Sequence, residues 1–216
     1  MTEAGAKTPR ERYRAQVRTE VKEHAWEQIA TAGASALSLN AIAKRMGMSG
    51  PALYRYFAGR DELITELVTD AYRSLADTFR AASGTGADVA ELGHALRGWA
   101  LEDPQRYLLI YGTPVPGYHA PDDVTAISSE ILATLLDACA ALSPDSPAMP
   151  LDAHLEDHRD WADGHPAQPA ALRRALAFWT RLHGVLSLEL AGHFRGMGID
   201  PAQLFAAELD ELSRPD

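Results

Sequence analysis

Three groups of side chains in this 216-residue chain have the types and spacing to do chemistry. Tyr54, Arg55 and Tyr56 form the first: two phenolic hydroxyls and a guanidinium suit phosphate oxygens, and arginine also suits base edges. Gly50 and Ala52, just upstream, are small enough for backbone to approach a groove floor, with Ser49 and Pro51 beside them. A solvated helix face has no use for two tyrosines bracketing an arginine, so this group points to a phosphate backbone. The second group, in DAHLEDHRDWADGHP, sets His154 and His158 at i, i+4 with Asp157, Asp160 and His165 nearby, a spacing that could hold a divalent ion on one helical turn. No closed ligand set with supporting partners is visible, and no metal or cofactor is expected. The third is His183, Glu189 and His193, which could serve a small helical enzyme as acid, base or ligands. No Gly-rich phosphate loop, nucleophile elbow or paired His-Glu-x-x-His accompanies them, and a binding role is the first expectation.

The elements that position the first group are readable from local rules. Leu39, Ile42, Ala43 and Met46 stand at i, i+3, i+4 and i+7 behind Ser38, an N-cap type, and predict a short helix from Leu39 to about Met46. Gly47 can supply a left-handed C-cap, and Ser49 caps a second helix with Pro51 in its first turn. Leu53 and Phe57 turn inward at i, i+4, leaving Gly50, Ala52, Tyr54, Arg55 and Tyr56 outward. This is a helix-turn-helix. Arg60 opens the next helix, whose Asp61 and Glu62 suit a helix N-terminus.

The stretch ALSLNAIAKRMGMSGPALYRYFAGRDELITEL resembles the DNA-binding domain of the tetracycline-repressor (TetR) family of bacterial transcription regulators, from about Arg12 to Leu75. Tyr56 stands where that family often has His before the Phe. The phrase FWTRLHGVLSLELAGHF likewise resembles the C-terminal domain of a TetR subgroup with a Trp-His-Gly signature, with Leu182 in place of the Trp before His183-Gly184. The resemblance implies an all-α fold: an N-terminal three-helix DNA-binding domain joined to a larger helical domain that binds an effector and dimerises through its last two helices. It implies a double-stranded DNA operator and a second copy of the chain as partners.

Charge is distributed to match. The net charge is −10, but residues 1–60 hold ten Lys and Arg against five Glu, whereas residues 61–216 hold ten basic against twenty-five acidic residues. A basic head on an acidic body orients toward a phosphate backbone. Cys139 is the single cysteine, so no internal disulfide can form, and the N-terminal residues carry no apolar leader; a cytoplasmic protein without a membrane role is expected.

The expected organisation is a flexible arm over 1–11, the helix-turn-helix domain over 12–58, a connecting helix over 59–83 and the body over 87–216. The first helix carries a stripe of Tyr13, Val17, Val21, Ala25 and Ile29; the connecting helix carries Leu63, Ile64, Leu67, Ala71, Leu75 and Phe79. Five prolines between Ser143 and Pro169 predict a long, mobile connection. Residues 170–194 are apolar on more than one face, so that helix is expected to be buried on most sides. From these patterns Ser38, Lys44, Ser49, Gly50, Pro51, Ala52, Tyr54, Arg55, Tyr56 and Arg60 are expected at DNA. Trp99, Tyr107, Tyr111, Phe178, Trp179 and His183 are expected to line a pocket for a hydrophobic small molecule. Leu182, Leu186, Leu190, Leu204, Phe205 and Leu209 are expected at the dimer interface.

Overall fold

The computed structural model describes residues 8–84, 86, 88–119, 121–142 and 148–214 and contains no strand among them. Ten α-helices follow in order: α1 (Pro9–Ala32), α2 (Leu39–Arg45), α3 (Gly50–Leu53), α4 (Arg60–Ser83), α5 (Val89–Glu102), α6 (Pro104–Tyr111), α7 (Asp122–Leu142), α8 (Pro150–Asp157), α9 (Pro169–Leu190) and α10 (Pro201–Leu212). The chain divides into two compact units. One holds the residues up to Val68 together with Thr113–His119; the other holds Thr69–Gly112 and Ala120–Asp216.

In the first unit α1 starts earlier than its apolar stripe suggested. Thr8 and Glu11 form a capping box, the Thr8 hydroxyl accepting from the Glu11 N–H at 3.2 Å and the Glu11 carboxylate from the Thr8 N–H at 2.7 Å. Residues 8–11 thus cap and open the helix, and only residues 1–7 of the expected arm remain, outside the described residues. Tyr13 is 62% exposed, and the buried stripe begins a turn later with Val17, Val21, Ala25 and Ile29. Leu39, Ile42, Ala43, Leu53, Phe57, Leu63, Ile64 and Leu67 are buried as well. Thr113–His119, inside the range 87–216 expected for the body, belong instead to this unit. Val115 is buried, and the Tyr118 hydroxyl donates to Thr65 Oγ1 at 3.2 Å.

The second unit is built around α9, which packs against α5, α7, α8 and α10. Gly93 brings α5 close to α10: a Cβ there would lie 2.4 Å from Leu209 Cδ1. α7 is long and apolar enough to cross a membrane by length and composition. Its Val124, Ile127, Ile131, Leu135, Leu136 and Cys139 are nevertheless buried in this unit.

The proline-rich connection is mostly ordered. Residues 143–147 lie outside the described residues, but Pro150 opens α8 at N1, where its missing N–H costs nothing, and a 3₁₀ turn follows at Asp160–Ala162. Leu155, Ala162 and Ala167 are buried. Asp152 accepts from Arg173 Nε at 2.9 Å, and Arg159 donates to the carbonyls of His165 and Ala167 at 2.6 and 2.9 Å.

The dimer-interface expectation needs correction. Leu182, Leu186, Phe205 and Leu209 are 1% exposed or less and belong to the core of their own protomer, leaving only Leu190 and Leu204 partly exposed. The helices are apolar on several sides because α5, α7 and α8 cover them from within the same chain.

Candidate nucleic-acid interface and effector cluster

The helix-turn-helix is built as its caps require. Ser38 caps α2, its hydroxyl accepting from the Ala41 N–H at 3.3 Å, and Gln28 of α1 holds the Ser38 backbone N–H at 2.9 Å. Gly47 takes a φ of +67°, the left-handed turn that ends the helix, and the Met48 N–H reaches back to the Ala43 carbonyl at 2.9 Å. Ser49 is N-cap of α3 without a side-chain hydrogen bond there, so its hydroxyl is not spent on the cap. The recognition helix is short. Regular α-helix ends at Leu53, and Tyr54 to Tyr56 continue as a turn. Leu53 and Phe57 are both fully buried, which fixes Tyr54 and Arg55 outward. Pro51 is exposed and Ala52 half-buried; Gly50 faces Asn40, whose Oδ1 would lie 3.2 Å from a Cβ at that position. Gly50 therefore serves the close approach of α3 to α2 as well as any approach to DNA.

Side-chain partners divide the expected contact residues. Lys44 and Arg55 are exposed and make no side-chain hydrogen bond or ion pair among the described residues. Tyr54 is 46% exposed. Arg60 is different: its Nη2 donates to the carbonyls of Ala34 and Ser35 at 3.0 and 3.3 Å, tying the start of α4 to the turn between α1 and α2.

A residue that the sequence reading passed over holds this arrangement. Arg18 of α1 lies over the Phe57 ring, 4.1 Å from its centroid, and donates to the Tyr56 carbonyl, to Glu66 and, at 3.2 Å, to Glu62. Glu62 is held below the usual carboxylate range first by the Ala58 N–H and then by Arg18. Arg18 is thus a positioning residue for the Tyr54–Phe57 turn. The signal was available, since Arg18 lies one position after the stripe residue Val17, but spacing on one helix does not reveal a partner thirty-eight residues away.

In the second unit five of the six expected pocket residues converge. His183 of α9 sits 4.3 Å, centroid to centroid, from both Tyr111 and Trp179 and stacks on Tyr107 at 5.6 Å. Trp99 of α5 joins through Tyr107 at 6.5 Å, and α4 adds Tyr72, missed from sequence, at 6.1 Å from Tyr111. Phe178 is fully buried in the core and makes no ring contact with the cluster among the described residues. The Tyr107 hydroxyl meets His183 Nδ1 at 2.9 Å and Ser187 Oγ at 3.0 Å. Burial pushes the His183 pKa down to about 4, so the imidazole is neutral at pH 7, and the Tyr111 phenol is raised well above its usual value by burial. Two buried atoms, Tyr111 Oη and His183 Nε2, have no hydrogen-bond partner among the described residues.

The enzymatic grouping is not assembled. Glu189 is clamped by Arg97 at 2.6 and 2.8 Å, His183 is bound into the aromatic cluster, and His193 is exposed. His154 and His158 stack on each other at 4.2 Å, and His165 pairs with Asp137 at 3.2 Å. No group of three or more potential metal ligands occurs among the described residues.

A basic helix-turn-helix unit, joined in one chain to a helical unit with a buried aromatic cluster, defines a DNA-binding regulator. Comparison with known proteins agrees. Residues 23–67 match the family described as bacterial regulatory proteins, tetR family, and residues 89–212 match the tetracyclin repressor-like C-terminal domain. The chain is 38% identical over 211 residues to the HTH-type transcriptional regulator Rv1816 of Mycobacterium tuberculosis, covering 90% of each, and equally to Mb1846 of Mycobacterium bovis. Among solved structures it is similar to the crystal structure of a regulatory protein, SCO4313, at 71% identity and a TM-score of 0.88, covering 95% of this chain and 98% of that one. The fold is shared with the TetR family regulator PfmR from Thermus thermophilus at 16% identity, a TM-score of 0.53 and coverage of 89% and 96%. The chain belongs to the TetR family: it is a transcriptional regulator with a helix-turn-helix and not an enzyme.

Proposed function

We propose that the protein is a homodimeric repressor that leaves a palindromic operator when a small molecule enters the aromatic cluster of its second unit, and that it works in the cytoplasm, where that DNA lies. The observation that carries the ligand response is the pair of unpartnered polar atoms within that cluster. Buried polar groups are normally hydrogen-bonded, so such a pair calls for a partner from outside the chain. Lys44, Ser49, Tyr54 and Tyr56 contact phosphates, while Gly50, Pro51, Ala52 and Arg55 approach base edges. Ser38 assists through its capped helix end. Arg60 anchors the turn between α1 and α2 and reaches the backbone only through what its carbonyl contacts leave over.

For dimerisation the faces of α9 and α10 turned away from their own core are the candidates. On α9 these carry Thr180, Gly184 and Leu188, and on α10 Ala202, Ala206 and Ala207. Gly184 has open space around its Cα, and small residues on two adjacent helices permit close packing against a second copy. Leu190 and Leu204 border this surface. A gel shift against the DNA beside the protein's own gene, repeated with Gly184→Arg, tests the proposal. Specific retention by the wild type, lost in the variant, is the expected result; no preference for that DNA over a scrambled duplex would overturn it.

A further inference from the structure

The cluster around His183 also limits what the effector can be. Its members come from four helices: Tyr72 on α4, Trp99 on α5, Tyr107 and Tyr111 on α6, and Trp179, His183 and Ser187 on α9. None of these carries a formal charge at neutral pH when the imidazole is neutral. Arg106, at the border of the cluster, is matched by Asp103 at 3.2 Å and donates to Ser74 Oγ at 3.1 Å, the same hydroxyl that takes the Trp99 N–H. The body of the site is therefore made of ring faces, and two of its fully buried polar atoms have no hydrogen-bond partner among the described residues: Tyr111 Oη and His183 Nε2. Tyr107 spends its hydroxyl on His183 Nδ1 and Ser187.

Building on the ligand-responsive reading above, we propose that Tyr111 Oη and His183 Nε2 are the polar anchor of the effector site, and that the effector is an uncharged molecule with a flat apolar body and one hydroxyl or carbonyl group hydrogen-bonded to that pair. The tyrosine hydroxyl can donate or accept, and Nε2 does either according to which tautomer Tyr107 selects at Nδ1, so a carbonyl can accept from both when both donate, and a hydroxyl can accept from one and donate to the other. A carboxylate or an ammonium would enter a region of neutral rings, where the bordering Arg106 is already matched by Asp103 and burial suppresses protonation of His183. The aromatic faces supply the remaining contact by stacking and edge-to-face packing.

The test uses the intact protein and four probes of one shape: p-cresol, toluene, benzoate and benzylammonium. Binding is followed by tryptophan fluorescence, since Trp99 and Trp179 lie in the cluster, and by the ¹⁵N shift of the His183 imidazole. The expected result is saturable binding of p-cresol about tenfold tighter than toluene, as one satisfied hydrogen bond to a buried group provides, with a shift of Nε2 that toluene does not produce and no binding of either ion. Tyr111→Phe removes a single oxygen from a buried ring. It should fold at least as well as the wild type and weaken p-cresol toward the affinity of toluene, His183 Nε2 retaining part of the advantage. Equal affinity for p-cresol and toluene, p-cresol binding unaltered by Tyr111→Phe, preferred binding of an ion, or no saturable binding of any probe would each overturn the anchor. A compound that frees operator DNA equally from the wild type and Tyr111→Phe would also overturn the anchor while leaving ligand response intact. Binding as expected at the anchor, with no compound that occupies it altering operator affinity, would support the site and count against the ligand-responsive reading.

Discussion

Replacing Arg55 and Arg60 one at a time with alanine separates reading of bases from holding of the head, because the structure gives the two guanidiniums opposite situations. Arg55 is exposed and has no side-chain partner among the described residues, so its removal leaves the fold untouched and acts only on DNA. A bidentate contact to guanine discriminates by about 1–3 kcal/mol. A dimer makes that contact twice, so the cognate site should lose about 2–6 kcal/mol, a roughly 30-fold to 20,000-fold drop, with random DNA little changed. Arg60 donates to the Ala34 and Ser35 carbonyls and is about one-third exposed on its side chain. Hydrogen bonds from a charged donor contribute about 1.5–3 kcal/mol when buried, so at this exposure Arg60→Ala should cost about 1–2 kcal/mol of stability in the head. It should weaken cognate and random duplexes alike, lowering the salt slope by about one unit per protomer at most. The assay is fluorescence anisotropy with both duplexes across a salt series, paired with thermal unfolding. Equal loss on both duplexes for Arg55→Ala, or a purely cognate loss for Arg60→Ala with an unchanged melting temperature, would refute the assignment of roles.

Other outcomes follow from burial and packing. Gly184→Arg, placed where a side chain meets open space in the protomer, should give a folded monomer in sedimentation; an unchanged dimer would place the interface elsewhere. Leu186→Glu, by contrast, puts a charge into the protomer's own core and should yield unfolded or insoluble protein, not a well-behaved monomer. His183 has its folded pKa depressed to about 4 from an ordinary 6.5, so the unfolded chain takes up a proton first as pH falls. Its contribution is fully present above pH 6.5 and lost toward pH 4, amounting to about 3 kcal/mol by linkage. The wild type should therefore lose stability faster than His183→Gln over that window, and parallel denaturation curves would contradict it. Cys139 is buried, and burial pushes its thiol up to about 12, so it should resist a thiol reagent at neutral pH until denaturant is added.

The helix-turn-helix was legible because its determinants are local: Ser38 and Gly47 act within a turn of where they stand, and Leu53 and Phe57 are buried as their spacing requires. Pro150 and Pro169 misled for the same reason in reverse, since proline reads as a breaker in a window but starts a helix at its first position. Periodicity on α9 and α10 announced burial without naming what does the burying. Leu182, Leu186, Phe205 and Leu209 therefore looked like interface and proved to be core. Most of the aromatic cluster was visible as residue types, and its convergence was not, because Tyr72 and Tyr111 meet only through tertiary packing. The role of Arg18 and the place of Thr113–His119 in the first unit were not legible on the same ground: their partners are distant in sequence.

The central claim, that a dimer of this chain reads a palindrome with two recognition turns, is tested most directly by hydroxyl-radical footprinting on the DNA beside its own gene. Two symmetric protections with centres about 34–36 Å apart, or a whole multiple of that spacing, are expected. Both should vanish together in Gly184→Arg. A single protected patch, or protection of random sequence to the same degree, would contradict the account.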